Sequence, residues 1–364
     1  MMSRFFAALL VLCTMTAMSQ TTITSYTPGV SAEGVAYYLP KTVIKICITT
    51  EKKSYMPGEL YQYADRYLRI TGVSNKEDIS YSIKSVALST EGVPDESKLY
   101  HILYAVNSIA PLVSMTESGV LYAVNAPVVA AETAIVCKPT VSGPERSLSP
   151  RAYMTEEMLL AGSKAKLAEL VAKEIYNIRE SRSLIIRGQN EFMPKDAESL
   201  RIILAGLEEQ EQAFTQMFVG TTTTETFTHT YQVTPSEEAA KVVLGRFSRK
   251  LGLLHGDDLA GAPIYVDIKC RQAVPEPTAE ALTEAGSAKG KRSKNANLQD
   301  GLVYNIPGRA EVKVYTNTQI FAEETLSMAQ FGHTETLSNT LLTKRKDIKV
   351  ILDPATGALL RVEE

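Results

Sequence analysis

The sequence has no tryptophan, and its 364 residues include only four cysteines and four histidines. A chain so poor in cysteine is not a disulfide scaffold, and no CxxC or neighbouring histidine pair supplies zinc-ligand spacing. Beyond the first twenty residues no apolar run approaches the roughly 18 residues that a membrane-spanning helix needs, so no such helix is expected in the mature chain. No charge of one sign dominates either. The 38 Lys and Arg face 41 Asp and Glu, for a net charge of -3, and no dominant basic block exists to hold a phosphate backbone. Nucleic acid is not an expected partner. The sequence also lacks GxSxG, GxxxxGK[ST], HExxH and GxGxxG, which removes the commonest hydrolase, nucleotide, zincin and dinucleotide signatures.

What remains has an ordinary globular composition, with 45% hydrophobic and 22% charged residues, and a length that suits about two domains. The opening is the exception. Met1 to Arg4 carry positive charge, Phe5 to Leu12 are uncharged and apolar, and Ala17-Met18-Ser19 puts small residues where a signal peptidase reads them. Residues 1–19 therefore read as a cleaved signal peptide, and the mature protein as exported: periplasmic, cell-surface or secreted. A retained anchor is the weaker reading, because the apolar stretch falls short of the ~20 residues that cross the hydrocarbon core. A lipid anchor at Cys13 is disfavoured by the bulky Leu12 before it. Cleavage leaves Cys47, Cys137 and Cys270, which allow one bridge in any of three pairings. Cys47 and Cys270 lie in strand-like stretches, where a buried small apolar side chain is the simpler expectation.

The pattern along the chain predicts an α+β, strand-rich fold. Residues 20–125 read as an N-terminal antiparallel β domain: Ile44, Ile46 and Ile48 alternate with Lys45, Cys47 and Thr49, as in a half-buried strand. After Pro57-Gly58, the spacing of Leu60, Ala64, Tyr67 and Leu68 predicts a short amphipathic helix. Strands are expected again at Ile79 to Ser89, Lys98 to Ala105 and Gly119 to Val124. Residues 126–154, with Pro139, Pro144 and Pro150, read as a linker. A central helical hairpin is predicted over 155–220. Its first helix opens at Thr155 and carries Leu160, Leu167, Leu170, Val171, Ile175 and Ile178; its second starts near Pro194 and carries Leu200 to Phe218. Residues 221–364 then read as a C-terminal β-sandwich-like domain, with threonines 222 to 230 on one face of the first strand and Phe227, His229, Tyr231 and Val233 on the other. Within it, 273–298 is polar, holds the basic run Lys289 to Lys294, and is expected to be a mobile insertion.

Three stretches together carry a family likeness: Tyr55-Met56-Pro57-Gly58-Glu59 running to Tyr67-Leu68; Ile178-Arg179-Glu180-Ser181-Arg182 with Met193-Pro194-Lys195-Asp196; and Ala329-Gln330-Phe331-Gly332 ahead of Leu337. With the leader, the chain resembles an uncharacterised family of exported Bacteroidetes proteins classed as a domain of unknown function. The resemblance implies an envelope or secreted location and brings no catalytic or ligand residues with it.

Candidate chemistry is sparse. His255-Gly256-Asp257-Asp258 gathers metal-ligand types but reads as a turn, since it lacks the alternate oxygen ligands and terminal Glu of a calcium loop. His229 reads as a packed or edge residue. Glu211 interrupts the apolar stripe of the second helix, where Arg179 or Arg182 on the facing helix is expected to neutralise it. No residue is assigned as catalytic, cofactor-binding or metal-ligating, and no cofactor is expected. The favoured function is a non-catalytic module that binds an envelope protein or polysaccharide. With 17 Tyr but no Trp to stack on sugars, a protein is the favoured partner. The alternative is a hydrolase of envelope glycan or peptide whose carboxylates are assembled by the fold, roughly 5 to 9.5 Å apart for glycoside chemistry.

Overall fold

The structure, a computed structural model, describes residues 22–25, 34–103, 111–126, 149–189, 196–272, 301–338 and 348–363. The predicted leader, Cys137, Pro139, Pro144, Pro194 and the insertion 273–298 lie outside the described residues. Along the chain, β1 (Thr22–Ser25) and β2 (Gly34–Met56) precede the short helix α1 (Ala64–Leu68), and β3 (Asp78–Leu103), β4 (Val113–Met115) and β5 (Leu121–Val124) follow. Next come α2 (Glu156–Leu159), α3 (Lys164–Ile186) and α4 (Ala197–Val219). The rest is strand: β6 (Thr221–Val233), β7 (Ala239–Ser248), β8 (Gly252–Leu254), β9 (Ala262–Gln272), β10 (Gly301–Tyr315), β11 (Ile320–Ser338), β12 (Lys349–Leu352) and β13 (Leu359–Glu363).

The fold is strand-rich and its paired strands are antiparallel, as the alternating patterns predict. Among the described residues three sheets form, in the orders β1-β3-β2-β6, β11-β10-β9-β7-β8 and β13-β12-β5-β4. Each draws its cover from far along the chain. The Ile44, Ile46 and Ile48 face of β2 is fully buried and packs with Ile264, Val266 and Ile268 of β9 and Val312 and Val314 of β10. Burial of each such side chain stabilises by about 1.5–3 kcal/mol before the entropy of ordering it is counted. A sheet apolar on one face must cover that face, and here the first two sheets cover each other.

The sheets therefore cross the boundaries drawn at residues 125 and 221. β6, from the C-terminal region, pairs with β2 over the register Ile44↔Val233 to Met56↔Thr221, and β12 pairs with β5. Local pattern identifies a strand but not its partner: β6 joins the sheet of β1, β2 and β3, while β7 to β11 form the sheet that packs on it. Several strands also run longer than expected. β3 continues through Gly92 and Pro94, and β10 continues through Pro307-Gly308, where its register with β11 shifts by a bulge. A bulge lets Pro and Gly sit in a ladder that their chemistry would otherwise end.

A buried polar joint ties the sheets together. Thr42 on β2, fully buried, donates its hydroxyl to the carbonyl of Ala355 (3.1 Å) and accepts from the amide of Ala329 (3.1 Å). Gln330 completes the contact: its Nε2 donates to the Thr42 carbonyl at 2.7 Å, and the Thr42 amide donates to its Oε1 at 3.1 Å. Beside it, Asn305 Nδ2 donates to the carbonyls of Pro40 (3.1 Å) and Thr356 (2.8 Å). The turn at Asp353 to Gly357 is thereby locked against β2. Gly357 has φ +72, and a Cβ there would meet the Pro40 ring and the Asn305 amide within 3 Å.

The helical region corrects one expected detail. Thr155 does cap a helix, accepting from the amide of Met158, but α2 ends at Leu159; Ser163 caps the separate α3 by accepting from Lys166. The intervening Gly162 lies in the break. α4 begins near Pro194, as expected, directly after Asp196, whose carboxylate accepts from the Ser199 amide at 2.6 Å. That amide hydrogen bond holds the Asp196 carboxyl below its usual value. Because the folded-state value is depressed, its contribution to stability is present above the unfolded carboxyl pKa of about 3.9 and lost as pH falls through the lower folded value. An Asp196→Asn chain keeps an acceptor but no titrating group. Its stability deficit against the wild type, followed by thermal unfolding across acid pH, is expected to shrink as pH falls.

Candidate functional site: the helical hairpin

Among the described residues, the hydrogen bonds that tie α4 to β2 and the segment after it lie at the C-terminal end of α4. Leu60, Ala64, Leu68, Val171, Ala172, Ile175, Ile178, Phe214, Met217 and Phe218 form one buried cluster. Its attachment to the sheet is specific. The Leu60 amide donates to the Met217 carbonyl at 2.7 Å, and the Tyr55 hydroxyl lies 3.0 Å from the carbonyls of both Val219 and Ser74. Gly58 approaches so closely that a Cβ would lie 2.3 Å from the Met217 carbonyl oxygen. At the end of α4, Gly220 turns the chain into β6 with φ +82, a conformation that L side chains rarely adopt.

Midway along the hairpin sits Glu211, with a side chain only 14% exposed. It binds both facing guanidinium groups, Arg179 Nε at 2.6 Å and Arg182 Nη1 at 3.0 Å, as its interruption of the apolar stripe predicts. These residues, with Glu208, Thr215, Gln216 and Val219, line an open cleft of about 380 Å³. Thr215 Oγ1 and Gln216 Oε1 are buried there with no hydrogen-bond partner among the described residues. The cleft thus offers spare guanidinium donors and two acceptors, while its central carboxylate is already bound by two cations. Glu211→Gln keeps the shape but removes the charge. It is expected to cost about 1–2 kcal/mol in urea unfolding, because two half-exposed guanidinium groups lose their counterion.

Beyond Ile178 and Leu207 the cluster stops, and the hairpin continues into solvent. Only Ile185 is buried in the last two turns of α3, while Leu184 (37% exposed), Ile186 (70%), Ile202 (61%) and Ile203 (43%) leave aliphatic surface open. Sequence periodicity places these residues on helices but does not show that the covering layer ends before them.

The other sequence candidates are scattered. His255 and Asp257 pair at 3.2 Å in a fully solvated turn, and the described residues contain no group of His, Cys, Asp and Glu that could hold a metal. His229 is exposed on β6. Three carboxylates lining two further clefts are likewise engaged. Asp78 pairs with Lys250 and Glu311 with Arg271, and Asp267 accepts from the Tyr315 hydroxyl at 3.0 Å. Burial of the Tyr315 ring and that carboxylate raise the phenol's pKa. Cys47 departs from the expectation of a simple buried thiol: it is disulfide-bonded, whereas Cys270 is a free, half-buried thiol.

Comparison with known families agrees with this geometry in one respect. A family model described as a domain of unknown function, DUF4831, matches residues 33–360. The chain belongs to the DUF4831 family. The match takes in the hairpin and every described strand from β2 to β12. No curated protein and no solved structure matches the chain. The three stretches that carried the likeness fall at joints of the fold: Tyr55 to Gly58 at the end of α4, Arg179 and Arg182 on Glu211, and Gln330 on Thr42. In addition, no helix among the described residues is long and apolar enough to cross a membrane.

Proposed function

We propose that this DUF4831 chain is an exported, non-catalytic interaction module of the cell envelope or extracellular space, and that its partner is a protein. The observation that carries the reading is the protruding end of the hairpin, where four aliphatic side chains stand 37–70% exposed beyond the hydrophobic cluster. Exposed apolar surface of this kind, rimmed by the charged Arg187, Glu198 and Arg201, is the composition of a protein contact. The cation-bound state of Glu211 and the pairing of Asp78, Asp267 and Glu311 favour this role over hydrolysis, which needs a carboxyl free to exchange protons. Export is supported by the leader and by the Cys47 bridge, since disulfides persist in oxidising compartments.

Affinity capture of the mature chain from native envelopes tests the reading, run beside an Ile186→Glu/Ile202→Glu chain. A stoichiometric protein partner recovered by the wild type and lost by the double variant is the expected result. Capture unchanged by the substitutions, together with turnover of an envelope polymer by the purified chain, would favour the hydrolase instead.

A further inference from the structure

β6 is an edge strand without the usual protection of an edge. Among the described residues it pairs only with β2, and its thirteen-residue register shows no bulge. Exposed edges are ordinarily blunted by Lys, Pro, bulges or inward charges, because their free N–H and C=O groups template further pairing. β6 has no Lys, Pro or Gly, and its single acidic residue, Glu225, lies 3.0 Å from Lys52 of the neighbouring strand. The outer edge of the second sheet differs. β11 is irregular against β10, with a shift beside Gly308, and it carries Glu323, Glu324 and Glu335.

The residue order of β6 supplies a specific partner. Around Phe227 it reads Thr224-Glu225-Thr226-Phe227-Thr228-His229-Thr230, which is nearly a palindrome in chemical type. Antiparallel pairing with an identical strand about a two-fold axis at Phe227 sets Thr226 opposite Thr228 and Thr224 opposite Thr230. The same register sets Glu225 opposite His229 on both sides of the axis. Phe227 meets its own copy between them. Threonine pairs, an aromatic pair and two complementary polar pairs are the combinations that stabilise neighbouring antiparallel strands. A shift of the axis by one residue to Thr226 would instead pair Glu225 with Phe227 and leave His229 opposite Thr223. The geometry points to a homodimer of this chain in which two β6 strands join two four-stranded sheets into one of eight, through an isologous interface. This interface is separate from the hairpin end and stands whether or not that surface binds a protein.

The test is the oligomeric state of the mature wild-type chain and two variants, by sedimentation with circular dichroism as the check on folding. The wild type is expected to dimerise. His229→Glu sets like charges opposite each other at two places, and it is expected to weaken the dimer on the order of tenfold or more. Glu225→His combined with His229→Glu restores opposite pairing and is expected to recover the dimer. In a Cys270→Ser background, Phe227→Cys is expected to cross-link chain to chain on oxidation, and Thr222→Cys is not. A monomeric wild type, a dimer indifferent to His229→Glu, or equal cross-linking at both positions would overturn the proposal.

Discussion

Replacing Thr42 by Val is expected to destabilise the folded chain by about 2–5 kcal/mol, although the two side chains have nearly the same shape. Thr42 is fully buried where β2, the start of the 329–332 stretch and the closing turn meet. Its hydroxyl serves two backbone groups at once, the Ala355 carbonyl and the Ala329 amide, each at 3.1 Å. Valine removes both bonds and supplies no substitute, so the buried Ala329 amide and the part-buried Ala355 carbonyl each lose their partner, at about 1–3 kcal/mol apiece with the carbonyl toward the lower end. Thr42→Ser keeps the hydroxyl and is expected to lose far less, chiefly one methyl group. Urea unfolding of the three chains measures the difference. Equal stability of the valine and serine chains would mean that the joint does not hold the sheets together.

Phe214→Ala is expected to cost about 3–5 kcal/mol, the range for emptying a buried aromatic site. Phe214 is 1% exposed in the cluster that roots the hairpin, and its ring meets the edge of Tyr153 at 6.5 Å between centroids with a 71° tilt. Its loss leaves a cavity between α4, α3 and the turn before α2, which the sheet joint at Tyr55 and Leu60 prevents from collapsing. Ile203→Ala, on the same helix but 43% exposed, removes a side chain from the open end. It is expected to change stability by no more than about 0.5 kcal/mol. Thermal unfolding of both chains separates the root of the hairpin from its free end. Comparable losses at the two positions would show that the outer turns are packed after all.

Much of the local structure is legible in the sequence because it depends on near neighbours. The alternation of Ile44 to Thr49 and of Thr222 to Val233 identifies β2 and β6, and Thr155 marks a real cap. Glu211 stands out as a carboxylate in an apolar stripe, and the facing helix supplies the arginines to meet it. What the sequence does not display is pairing across distance. Nothing near Thr221 shows that it will lie against Met56, and nothing near Lys349 shows that β12 will join β5. The continuity of β3 and β10 through proline and glycine is hidden for the same reason, since neighbouring strands hold those residues in the ladder. The break between α2 and α3 was readable in principle: Gly162 followed by Ser163 is a stop and a cap, but the flanking leucines extend the apolar stripe across it. The open end of the hairpin was not readable, because exposure is set by where the sheets stop.

A photo-cross-linking amino acid at Ile202, introduced into the chain in its native envelope, tests the interaction role most directly. The account predicts one discrete protein adduct that is absent when the same probe replaces Lys250, an exposed residue in the turn between β7 and β8. Absence of any adduct at 202 above the level at 250 would contradict it.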